Sequence, residues 1–167
     1  MKIGKKDCQD LERALSLEWL EQNGRGGFAS GTVAGAHTRR YHALLLTARK
    51  PPSERFVLVN HLEEWLAIDA HVIPLSTNLY PGAVHPAGYE NCVEFSIDPW
   101  PIWTFACNGM RLQREILLIQ GRDLAIVRWT LLGRKKQRAV LRVRPKLTAR
   151  DYHGTHHENG NLSTEAS

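Results

Sequence analysis

The sequence predicts an all-β fold, an antiparallel sandwich of two sheets, and three observations carry the prediction. Asn108-Gly109, a pair that favours a type I′ turn, stands between two strand-like segments, residues 102–107 and Met110-Arg111-Leu112. Between Leu124 and Leu132, Ala125, Val127, Trp129 and Leu131 share one face while Arg128 and Thr130 take the other. Turn formers separate the apolar runs, at Lys50-Pro51-Pro52-Ser53, Tyr80-Pro81-Gly82, His85-Pro86-Ala87-Gly88 and Asp98-Pro99-Trp100-Pro101. No helical periodicity is long enough to support a helical domain.

Taken in order, a short helix is expected over residues 7–16, with Leu11, Ala14 and Leu15 on one side. Strands follow at 41–47, 56–68 (long enough to bend), 72–75, 93–97, 102–107, 110–119, 124–132 and 137–147. Reversals are expected at Gln120-Gly121-Arg122-Asp123 and at Gly133-Arg134-Lys135-Lys136. Residues 1–150 then form one domain, and 151–167 are a polar tail or the start of a truncated remainder. A sheet left incomplete at its C-terminal end would expose an edge, which makes a homodimer an expectation.

The length suits about one domain with a sizeable core, at 43% hydrophobic and 23% charged residues. No apolar run approaches the roughly 20 residues of a membrane span, so no membrane partner is expected. The basic N-terminus lacks the apolar stretch of a secretory signal. Cys8, Cys92 and Cys107 are odd in number and widely spaced, which reads as reduced thiols in a cytoplasmic protein. Residues 111–150 hold twelve Lys or Arg against Glu115 and Asp123, a local balance of +10, whereas the rest of the chain sums to −5. Such a segment can meet nucleic acid, an acidic partner or water. It lacks the interleaved exposed aromatics of single-strand binders, so nucleic acid is not the expected partner.

The densest signal lies in residues 18–46, where glycines cluster between Asn23 and Gly31 and Arg39-Arg40-Tyr41-His42 runs into an apolar strand. Gly24-Arg25-Gly26-Gly27-Phe28-Ala29 fits G-x-G-x-x-G/A, but no helix former and no acidic residue follow where a dinucleotide site needs them. Gly26 to Gly31 has the spacing of a Walker loop, with Thr32-Val33 where Lys-Ser/Thr would touch phosphate. Both readings fail, and no cofactor is expected. His153, His156 and His157 lack a zinc-site frame, and no metal is expected.

The same segment resembles the N-terminal domain of bacterial and archaeal glycogen-debranching enzymes of the amylo-α-1,6-glucosidase family. The similarity continues through Leu75-Ser76-Thr77-Asn78-Leu79-Tyr80-Pro81-Gly82, Val84-His85-Pro86-Ala87-Gly88-Tyr89 and Phe95-Ser96-Ile97-Asp98-Pro99-Trp100-Pro101. Arg114-Glu115-Ile116, Val143-Arg144-Pro145, Arg150-Asp151-Tyr152-His153 and His157-Glu158-Asn159 complete it. The resemblance implies a galactose-mutarotase-like supersandwich that packs on an (α/α)₆ toroid, and the toroid would carry the carboxylates that hydrolyse α-1,6 branch stubs. This chain is expected to represent the N-terminal domain without the toroid and to be inactive alone. Its implied partners are an α-glucan, glycogen or maltooligosaccharide, and the catalytic domain of the same or a companion chain.

Glycoside hydrolysis needs two carboxyls flanking the scissile bond. Glu63 and Glu64, adjacent in a strand, point to opposite faces and cannot form such a pair. Glu90, Glu94 and Asp98 are evenly spaced, as on an exposed face. The polar residues expected to contact substrate or brace the domain interface are Asn23, Arg25, Arg39, Arg40 and His42, with Asp151, Tyr152 and His153 as a second cluster. For each, the alternative is a structural role: a strand-end charge, a core-edge imidazole, an Asp-led turn. Trp100, between two prolines, is the expected exposed stacking platform, and the other tryptophans are expected in the core.

Overall fold

The computed structural model describes residues 1–133 and 138–155. Its strands, in chain order, are β1 (Lys2–Gly4), β2 (Glu18–Gln22), β3 (Phe28–Thr32), β4 (Ala43–Lys50), β5 (Ser53–Ile68), β6 (His71–Pro74) and β7 (Thr77–Tyr80). There follow β8 (Ala83–Ala87), β9 (Cys92–Ile97), β10 (Pro101–Cys107), β11 (Met110–Leu118), β12 (Ala125–Leu132) and β13 (Ala139–Asp151). One sheet runs β1-β9-β10-β11-β12 and the other β13-β5-β4-β3-β2, with β6 beside β5 and β7-β8 as a separate hairpin. Every registered pair is antiparallel. The expected all-β sandwich is therefore the fold.

The two sheets meet through large apolar side chains. Phe95, Trp103, Phe105, Leu112 and Ile116 of the first sheet bury against Trp19, Ala29, Leu44, Leu66 and Ile68 of the second. The Trp19 and Trp103 rings meet edge-on at 5.3 Å, and the Trp103 indole N–H donates to Val33 O at 2.9 Å across the layers. A buried indole with its N–H satisfied contributes area without a stranded donor. Cys8, Cys92 and Cys107 are buried free thiols, and burial pushes Cys107 up to about 11.

Local chemistry explains most elements. Asn108 (φ 46°) and Gly109 (φ 78°) both take the left-handed region, as a type I′ turn between β10 and β11 requires. The expected helix 7–16 is two short helices, α1 (Lys5–Gln9) and α2 (Leu11–Ser16), because Asp10 interrupts it. Its carboxylate accepts from the Arg13 N–H at 3.0 Å and caps α2. Strand β3 lies within the segment read as a glycine loop, since small residues allow a buried strand there: Gly27 sits where a Cβ would lie 2.6 Å from Asn23 Nδ2 and 2.8 Å from Leu46 O. Leu131 is 42% exposed rather than sharing the buried side of Val127 and Trp129. It lies near the end of β12, an edge strand of its sheet. The reversal expected at 133–136 lies largely outside the described residues.

Gly88 holds the tightest approach in the fold. A Cβ there would stand 2.3 Å from Leu75 C and 2.5 Å from Leu75 O, both backbone atoms. Gly88→Ala is therefore expected to cost about 1–3 kcal/mol by overpacking. Urea denaturation checks this, and an unchanged midpoint would contradict it. Among the described residues, the outer edges of β12 and β13 carry no partner strand, and Val140, Val143 and Leu147 are exposed on β13. No described helix is long and apolar enough to cross a membrane.

Candidate functional site

Asn23, expected at a ligand surface, is fully buried and entirely engaged in the fold. Its Oδ1 accepts from the N–H groups of Arg25 (2.8 Å) and Gly27 (3.0 Å), and its Nδ2 donates to Arg122 O (3.1 Å) and Asp123 Oδ1 (2.9 Å). Its backbone oxygen accepts from Gly121 N–H at 2.8 Å, so one side chain and one peptide tie the β2-β3 turn to the β11-β12 turn. Arg25 is exposed beside it and donates to Gly121 O at 3.3 Å.

Arg40 of the first expected cluster and Tyr152 and His153 of the second, far apart in sequence, come together. The Tyr41 and Tyr152 rings meet at a tilt of 43° with centroids 5.2 Å apart, and the Tyr152 and His153 rings lie at 4.0 Å, tilted by 49°. The Arg40 guanidinium covers Tyr41 at 4.9 Å and donates to His153 O at 3.1 Å, while Arg55 lies 5.6 Å from the Tyr152 ring. Beneath them, buried Arg150 donates to the carbonyls of Arg40 and Gly154, which fixes both segments. Asp151 Oδ1 accepts from the His153 N–H at 2.8 Å, the Asp-led turn read from sequence. Tyr152 and Phe28 pack against Ala43, Leu46 and Val57, a small apolar cluster separate from the main core. The result is a ridge of aromatic rings framed by guanidinium groups. Arg39 and His42, which flank Arg40 and Tyr41 in sequence, are tied to each other by Glu18, whose Oε1 is 2.5 Å from Arg39 Nε and 3.5 Å from His42 Nε2. His42 is 3% exposed, its Nδ1 accepts from Thr38 N–H, and burial holds its pKa below the ordinary value, so the ring is neutral.

Trp100 is half-buried rather than free in its loop. Its indole donates to Glu115 Oε1 at 3.1 Å, and Arg128 clamps the same carboxylate from Nε (2.5 Å) and Nη2 (2.7 Å). The Arg128 bonds hold Glu115 below the usual carboxylate range. Glu63 and Glu64 leave opposite faces of β5. Glu64, fully buried, receives Arg114 Nη1 at 2.7 Å and the Trp129 indole at 2.8 Å, and the Arg114 guanidinium lies 4.1 Å over Trp103. Glu63 receives Lys146 at 3.2 Å, Arg144 at 3.4 Å and Asn78 at 3.1 Å. Of the basic residues in 111–150, Arg114 and Arg150 are buried in the fold, whereas Arg128, Arg144 and Lys146 pair with Glu115 and Glu63 from exposed positions.

A polar cleft that the sequence did not signal opens between β5, β7 and β13. It has a volume of about 790 Å³ and is lined by His37, Asn60, His61, Glu63, Asn78 and Lys146, with Leu79 and Tyr80 beside them. The β5-β13 register passes from His61 to Val59, so Asn60 is the extra residue of a bulge. Its Oδ1 accepts from His37 Nδ1–H (3.3 Å) and its Nδ2 donates to His61 Nδ1 (3.2 Å). Burial pushes His37 down to about 3 and lowers His61 as well. Both rings are therefore neutral, and with Nδ1 accepting from Asn60, His61 carries its proton on Nε2, a buried donor whose approach to the Asn78 side chain falls short of a hydrogen bond.

The model of the glycogen debranching enzyme N-terminal family matches residues 17–167. The chain belongs to that family. No curated protein and no solved structure matched it. Within this debranching-enzyme N-terminal domain, the ridge joins residues expected from sequence, whereas the cleft does not. Its bulge, its two tautomers and the approach of β7 depend on register, and nothing in the local pattern of Asn60-His61 distinguishes them from an exposed strand pair.

Proposed function

We propose that this chain is the non-catalytic, glucan-contacting part of a debranching-type α-1,6-glucosidase, which packs on an (α/α)₆ catalytic domain and helps to shape its substrate cleft. The observation that carries the reading is the Arg40-Tyr41-Tyr152-His153 ridge. Paired aromatic faces offer stacking area to pyranose rings, and the guanidinium groups of Arg40 and Arg55 supply directional donors for hydroxyls. The non-catalytic role is supported by the carboxylates: Glu63 and Glu64 diverge to opposite faces, and each is engaged by cations. Asn23 serves the fold in this reading, and Arg39 and His42 brace the ridge through Glu18.

Arg40→Ala and Tyr152→Ala are each expected to weaken maltoheptaose binding by about 2 kcal/mol, roughly thirtyfold, as loss of a central aromatic or arginine contact does. Affinity by calorimetry, with a thermal melt of each variant, checks this. Folded variants with unchanged affinity would remove the ridge from the glucan surface.

A further inference from the structure

The cleft between β5, β7 and β13 is built differently from the ridge and asks for a different explanation. Its volume falls in the range of small-molecule sites, roughly 300–1,000 Å³. Its lining converges from four places in the chain: the segment before β4 (His37), the β5 bulge (Asn60, His61, Glu63), β7 (Asn78, Leu79, Tyr80) and β13 (Lys146). The chemistry is mixed. Glu63 and Asn60 offer acceptors, Lys146, Asn78 and His61 offer donors, and the two imidazoles are neutral, so no large net charge confronts a ligand. Tyr80 is 55% exposed and Leu79 39% exposed beside these polar groups. A buried polar group left without a partner is rare in a folded protein and commonly marks a place for water or a ligand. His61 Nε2–H is such a group.

We propose that this cleft is a second carbohydrate site, which takes one or two pyranose units of a neutral sugar, independently of the ridge. An anion would meet the Glu63 carboxylate, and a bare cation would meet Lys146. A polyol satisfies both, because each hydroxyl donates to a carboxylate or amide oxygen and accepts from an ammonium, amide or imidazole N–H. Tyr80 supplies an apolar face for the ring, and Asn60 sets His61 in the tautomer that donates.

The test uses the complete chain carrying Arg40→Ala and Tyr152→Ala, so that ridge binding is removed and the cleft is read alone. Maltose is titrated while amide resonances of residues 60, 61 and 78 and the imidazole signals of His37 and His61 are followed. The proposal expects saturable shifts at these positions. Adding Tyr80→Ala, a change at an exposed site, should weaken the apparent affinity about tenfold, and Asn78→Ala should do the same. Cleft resonances that stay still at saturating maltose would overturn the proposal. So would shifts produced by inorganic phosphate but not by maltose, which would mark an anion site. Failure of the ridge reading is separate: there, the single Arg40→Ala and Tyr152→Ala variants keep full maltoheptaose affinity.

Discussion

Glu64→Ala is expected to destabilise the domain by about 3–5 kcal/mol, because it strands the Arg114 guanidinium between the sheets. The Arg114 and Glu64 side chains are 8% and 1% exposed, and the Trp129 indole loses its acceptor in the same step. A buried cation without its carboxylate has no solvent to turn to, whereas removing both charges relieves the problem. Glu64→Leu combined with Arg114→Met should therefore recover most of the stability lost by the single variant. Urea unfolding of the singles and the double measures the coupling. A Glu64→Ala loss below about 1 kcal/mol, the range of exposed pairs, would mean that the interior pair is solvated and the packing described here is wrong.

Asn23→Ala is the second large effect, expected at about 3 kcal/mol. The substitution leaves the buried Gly27 N–H and the Arg25 N–H without their acceptor and frees Arg122 O and Asp123 from their donor. Each stranded group costs about 1–3 kcal/mol when water cannot reach it. Glucan affinity of the folded variant should be unchanged. Wild-type stability with weakened glucan binding would return Asn23 to the ligand surface.

How much of this was readable beforehand varies by element. The β10-β11 hairpin was legible because Asn108-Gly109 demands two positive φ angles, and few other conformations accept that pair. The edge strands β12 and β13 and the long β5 were legible from runs of apolar and β-branched residues, whereas the edge strands β1 and β2 were not among the expected strands. Strand β3 was not, because Gly27, Ala29 and Gly31 read as loop residues when nothing shows that Asn23 and the Leu46 carbonyl crowd Gly27. Hairpin β7-β8 was hidden because Pro81-Gly82 gave its turn but His85-Pro86, read as a second turn, lies inside β8.

The site divides the same way. Arg40, Asp151, Tyr152 and His153 were picked out as residue types that suit a sugar, and Arg150 joins them into one surface by reaching the Arg40 carbonyl, 110 residues away in sequence. Asn23 and Trp100 were picked for the same reason, yet their polar atoms are consumed by neighbours, which only the tertiary contacts reveal. Glu64 was weighed as a carboxylate for catalysis and set aside on strand geometry. Its partner Arg114, fifty residues away, shows what the charge does instead. His37, Asn60 and His61 carried no signal at all, because a bulge in the β5-β13 register brings them together.

Glucan recognition without hydrolysis is the central property proposed for this chain. Calorimetric titration with glycogen and maltoheptaose, followed by assay of the same samples for glucose released from α-1,6 branch stubs, tests it directly. Saturable binding with no release of glucose is the predicted result. Glucose release that survives purification to homogeneity, or the absence of any binding to either glucan, would contradict it.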